Sequence, residues 1–223
     1  MSAATSPEKP KREPVLNPVD RVSEVLFGLF MALTFVGAVS VTEAGRSDIR
    51  TMFMAALGCN LAWGLVDAVM YLVRTVTDRG RLITLIRSVQ SAADAETGRR
   101  LIEGSLSKVL AGLVSKTEVE AIRNRVIALN DVPDRPRLES NDYLAALAVF
   151  LLVVASTFPV VLPFVFIQDV STAKTLSRVI ALAMLFVGGL ALGRYAGYGG
   201  WKAGVLMAGL GTVVVVAVMA LGG

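Results

Sequence analysis

Long apolar runs alternate with short polar connections along this chain, and the charge is segregated into the connections. Five runs, at 22–41, 51–73, 143–167, 177–193 and 201–221, can cross about 30 Å of hydrocarbon at about 1.5 Å per helical residue. The stretch between the second and third runs has a different rhythm. Leu82, Ile83, Leu85, Ile86 and Val89 recur at helical spacing, as do Leu101, Ile102, Leu106, Val109, Leu110 and Leu113. Thr117 followed by Glu120 has capping-box form and predicts a third helix through Ile122, Val126, Ile127 and Leu129. Pro133 and Pro136 end it, because each proline biases its predecessor away from helix. The pattern predicts an all-α polytopic membrane protein: five transmembrane helices, with a cytosolic three-helix insert between the second and third. Its parts are a basic disordered tail over 1–21, helices one and two over 22–73, the insert over 74–140, and helices three to five over 141–223.

Composition sharpens this reading. At 54% hydrophobic, the chain exceeds the 45–50% or so usual for soluble domains. The first 21 residues, with Lys9, Lys11, Arg12 and several prolines, lack the apolar stretch of a signal peptide and hold too little apolar surface to order. Basic residues concentrate in the tail, in 74–137 and in 194–202, whereas 43–50 and 168–175 are nearly balanced. The positive-inside rule then puts the N-terminus and insert in the cytosol and the C-terminus on the opposite side, in a bacterial inner membrane.

Candidate chemistry is sparse. There is no histidine, which removes the usual zinc ligand and proton shuttle, and the one cysteine, Cys59, precludes an intrachain disulfide. No phosphate-binding loop, dinucleotide fingerprint or nucleophile–base arrangement occurs, so an enzyme is not expected; nor is a cofactor or a nucleic-acid partner. An acid inside a span is costly and needs a partner or a purpose. Glu24 stands near the cytosolic end of span one, and Asp67 lies deeper in span two. On span two, Asn60, Trp63, Asp67, Met70 and Arg74 share one face by three- and four-residue steps; on span one, Glu24, Gly28, Met31 and Phe35 do the same. Carboxylate, amide and thioether together suit a divalent cation such as Fe²⁺ or Mn²⁺. The plainer alternative pairs Asp67 with Arg74 or a neighbouring span and leaves Met31 and Met70 to packing. Gly189, Gly193 and Gly197, repeated by Gly200 and Gly204, form a ladder that suits tight packing or dimerisation. Pro159 and Pro163 should kink or break span three.

The proline-bearing Phe158-Pro159…Leu162-Pro163-Phe164 and the pattern Leu185-Phe186-Val187-Gly188, Gly193, Gly197, Trp201, Gly204, Met207 and Gly211 resemble the last three spans of the vacuolar iron transporter family. The five-span plan with its insert is similar over most of 21–223, and the sequence likeness is concentrated in roughly the last 70 residues. The resemblance implies a homodimer that exports cytosolic Fe²⁺ or Mn²⁺, in many members by exchange with protons. The family's route carries a first-span Asp-Gly, a second-span Glu and a Ser-Met pair. Aligned through Gly28 and Gly64, these become Met31-Ala32, Asn60 and Asp67-Ala68, while Glu24 matches a family acid. The insert also lacks the family's dense glutamates. The expected metal-route residues are therefore Asp67, Glu24, Asn60, Met70 and Met31, with Asp67 as ion or proton carboxylate and Glu24 as entry acid. The alternative is a membrane scaffold or regulator that keeps the fold and has lost the route, and transport of another small solute is a third reading.

Overall fold

The computed structural model describes residues 16–41, 46–197 and 199–221, with side chains of 39–41, 46–53, 55 and 56 excepted. The expected tail lies outside the described residues as far as residue 15, as do 43–45 of the 43–50 connection, whose remainder begins a helix. Among the described residues eight helices follow one another: α1 Pro18–Val41, α2 Arg46–Gln90, α3 Ala95–Ser105, α4 Lys108–Leu113, α5 Lys116–Ile127, α6 Ser140–Phe166, α7 Val170–Ala196 and α8 Gly200–Ala220. The described residues contain no strand. They fall into two compact units, Met1–Val69 with Tyr143–Gly223, and Met70–Asp142, with α2 contributing to both.

Helix ends follow local chemistry. α1 starts four residues before the expected span because Asn17 caps it: its side-chain oxygen accepts the Asp20 N–H at 2.8 Å, and Pro18 sits where a missing donor costs nothing. α7 starts seven residues early for the same kind of reason. Asp169 accepts the Thr172 N–H at 2.7 Å, so helix also covers Lys174, which the expected 177–193 run leaves outside. α7 ends at Gly197, whose φ of 75° is the left-handed conformation that glycine adopts without a Cβ clash. Gly197 is thus a cap rather than a rung of the packing ladder.

In the first unit, α1 is the central post. Leu29, Leu33 and Val36 recur on one face and are fully buried, in a core with Leu26, Val160, Ala181, Leu185 and Val215. The outward faces are also apolar: Leu144, Leu147, Leu151, Phe158, Leu162 and Val165 line the exposed side of α6 at helical spacing. Such continuous exposed apolar faces are foreign to soluble monomers, and they suit hydrocarbon. Among the described residues, four helices are long and apolar enough to cross a bilayer: α1 over Pro18–Ala38, α6, α7 and α8.

The glycines explain how α7 and α8 meet. A Cβ on Gly189 would lie 2.6 Å from the Ala203 carbonyl and 2.8 Å from the Gly204 Cα, and one on Gly193 would lie 2.6 Å from the Ala203 Cβ. Gly204 receives the Phe186 ring, which also meets Trp201 edge to face at 5.0 Å. These three glycines serve packing within one chain. The prolines of α6 do not break it: the helix is continuous through Pro159 and Pro163. The buried Ser177 hydroxyl of α7 donates to the Val160 carbonyl between them, so this buried polar group is satisfied and α7 is tied to α6.

The second unit departs from the expected three-helix pattern. Leu82–Val89 belongs to α2, which carries on unbroken to Gln90. The second expected helix is two, α3 and α4, because Ser107 caps a new start by accepting the Leu110 N–H. The capping box belongs to Ser115 and Glu118, not Thr117 and Glu120. Val89, Ile102 and Val119 form the core. Gln90 donates to the carbonyls of Val126 and Leu129, satisfying the end of α5. Arg79 grips Asp142 with two bonds of 2.7 and 2.9 Å and also donates to the Arg137 carbonyl, tying α2 to the start of α6. Arg99 of α3 donates to Glu120 of α5, and Arg123, three residues further along α5, donates to the same carboxylate. The Arg123 guanidinium outweighs the opposing effect of burial and, with Arg99, holds the Glu120 carboxyl below its ordinary range.

Two outcomes follow from this packing. Gly189→Ala should lower stability by about 1–3 kcal/mol, since backbone must move, whereas Gly209→Ala, where nothing lies within 4 Å, should be neutral or mildly stabilising. Thermal melts in detergent read this, and a Gly189→Ala protein melting with the parent would refute the close approach. Because the Glu120 pKa is depressed by folding, its stabilisation is complete above the ordinary carboxylate pKa and disappears as pH falls through the lower folded value. Glu120→Gln should flatten that acid limb in circular-dichroism melts at stepped pH; an unchanged limb would mean the cluster contributes nothing.

Candidate functional site

Two glycines set α1 and α2 tightly against α6. The space a Cβ would need at Gly28 is taken by the Ser156 hydroxyl and the Val153 carbonyl. At Gly64 a Cβ would press on the Phe150 ring at 3.2 Å and on Val154 at 3.3 Å. One turn further along α6, at Thr157 and Val161, the walls part around a cavity of about 830 Å³. Its lining is mainly apolar, from Phe27 and Phe35 of α1 to Leu57 of α2, and its polar members are Thr34, Cys59, Asn60 and Thr157. Met31 and Trp63 complete the part of the wall that bears chemistry.

The hydrogen bonds there can be followed proton by proton. Thr157, 3% exposed, donates its hydroxyl proton to the Val154 carbonyl at 2.8 Å. Its oxygen can then only accept, so the group 2.7 Å away must be the Asn60 amide nitrogen. That fixes the amide orientation and leaves Asn60 Oδ1, on a side chain 7% exposed, buried with no hydrogen-bond partner among the described residues. Thr34 likewise donates to the Met31 carbonyl at 2.7 Å. Around the cavity stand two hydroxyl oxygens with committed protons, a thioether and a thiol, the Trp63 indole N–H as a donor, and the Asn60 amide oxygen, buried rather than open to solvent. Uncharged acceptors outnumber donors among these groups, which suits a cation or a hydrogen-bond donor better than an anion.

The residues expected from sequence divide. Met31 and Asn60 meet at this cavity. Glu24 and Asp67 are half-buried on α1 and α2 and do not line it. Met70 is 49% exposed and belongs to the second unit. The face read as one polar stripe on α2 is thus not a single site: Asn60 and Trp63 border the cavity, and Arg74 is exposed. Among the described residues no group of three or more His, Cys, Asp or Glu is placed to hold a metal ion. Sequence reasoning missed Thr34, Cys59 and Thr157. A signal was present in Ser156-Thr157, an adjacent hydroxyl pair inside an otherwise apolar span.

The Asn60–Thr157 bond should show a coupling of about 1 kcal/mol in a double-mutant cycle with Asn60→Ala and Thr157→Val, read by unfolding in detergent. Additive single effects would mean that the bond does not form. No protein-family model matches the chain, and no curated protein matches it in sequence.

Proposed function

We propose that this chain is a divalent-cation transporter of vacuolar-iron-transporter type, moving Fe²⁺ or Mn²⁺ out of the cytosol through the α1–α2–α6 cavity. The observation that carries this reading is the acceptor-rich, uncharged set of side chains bordering the cavity, with the Asn60 oxygen buried and without a hydrogen-bond partner among the described residues. Amide oxygen and thioether ligands suit first-row divalent ions, and an intramembrane cavity with a polar patch in an apolar wall is where a membrane transporter binds its cargo. In this reading the 51–73 part of α2 is the fifth span, the second unit is the cytosolic insert, the N-terminus is cytosolic and the C-terminus lies on the opposite side. The basic connections support that orientation. Glu24 and Asp67 then serve as approach and coupling carboxylates, and Met70 as a soft ligand of the same route. The functional unit is a homodimer in a bacterial inner membrane.

A second reading has its own support. The acids of the resembling family's route are replaced by Met31 and Asn60, and the described residues hold no cluster of metal-ligating side chains. A scaffold or regulator that keeps the bundle without transport fits those two facts.

Flux into proteoliposomes separates the readings, comparing Fe²⁺, Mn²⁺, Co²⁺ and Zn²⁺ with an internal metal dye and a pH probe. Transport of Fe²⁺ or Mn²⁺ that falls at least tenfold in Asn60→Leu, the order expected when a buried ligand worth more than about 1.4 kcal/mol is removed, supports the transporter. Folded protein that moves none of these ions supports the scaffold. Asp67→Ala with unaltered flux would remove that carboxylate from the route.

A further inference from the structure

The short helix α4 is apolar where it should be polar. Val109, Leu110 and Leu113 lie on one face, three and four residues apart, and are 72, 51 and 75% exposed. No residue of α4 is buried, and none joins the Val89–Ile102–Val119 core of its unit. Nor is the exposure that of a fraying end. Ser107 caps the start of α4, Val114 packs on the core just after it, and the Ser115 capping box follows at once, so the apolar face is held outward at both ends. Charge says what would cover it. Lys108 and Lys116 flank the face, both are exposed, and no acid occurs between Glu103 and Glu118. A second copy of the same face would bring lysine towards lysine, whereas an anionic surface would meet both the charge and the apolar groups.

We infer that the α4 segment docks on an anionic bilayer surface, Val109, Leu110 and Leu113 entering the headgroup–acyl boundary while Lys108 and Lys116 meet lipid phosphates. This is how interfacial amphipathic helices bind: three apolar side chains alone are weak, and nearby lysines add the electrostatic part. The same chain carries four helices able to cross a bilayer, so the surface is present at high effective concentration. The docking is independent of what, if anything, the cavity carries.

Hydrogen exchange of the full-length protein tests it in detergent, in phosphatidylcholine nanodiscs and in nanodiscs that also contain phosphatidylglycerol. Amides of 108–114 should exchange more slowly in the anionic discs than in the other two, by about fivefold for each lysine engaged. Lys108→Glu with Lys116→Glu should abolish the difference between the two disc types, and Val109→Ser with Leu113→Ser should remove protection in both. Exchange around Val119 reports that each variant is folded. Equal exchange in all three media would overturn the proposal. So would protection in detergent that rises with protein concentration, which would assign the face to a second copy instead.

Discussion

Inside hydrocarbon, helices gain nothing from hiding apolar surface against one another, so their association depends on how closely their backbones can approach. This constraint organises the first unit. Gly189 and Gly193 on α7 accept α8 at distances that leave no room for a methyl group, while Gly204 on α8 accepts Phe186. Gly28 and Gly64 do the same for α1 and α2 on α6. Large side chains are correspondingly sent outward, and the fully buried ones gather on α1, where several helices converge. The cavity is the complement of this arrangement, opening where the glycine contacts of α1 and α2 give way to Phe27, Phe35 and Trp63.

Much of this architecture was legible in the order of residues, because hydropathy and glycine spacing act locally. The apolar runs that became α1, α6, α7 and α8 stood out, although the caps at Asn17 and Asp169 lengthened two of them. The second unit was harder. Nothing in the periodicity marks where one helix hands over to the next, so the residues before Gln90 read as a separate helix although no breaker interrupts α2. Ser107 and Ser115, each followed by a neighbouring hydroxyl or lysine, competed with Thr117 as start signals, and only the donated N–H bonds identify the true caps.

The site was legible only in part, for a physical reason. Spacing along one helix tells which residues share its face, but a cavity takes one wall from each of several helices. Met31 and Asn60 were found because their own faces carried a signal. Thr157 was not, because its role depends on meeting Asn60 across 97 residues of sequence. Asp67 and Glu24 drew attention as charges in apolar runs, yet the lining is assembled from uncharged groups.

That last feature bears on how tightly such a site could hold anything. Among the described residues, none that borders the cavity is a carboxylate. Dipoles and lone pairs can replace part of a hydration shell, but without a counter-charge they bind a cation shallowly. Shallow wells empty quickly, and permeation needs binding weak enough to leave as well as strong enough to enter. In the proposed transporter, such a wall would favour passage over storage.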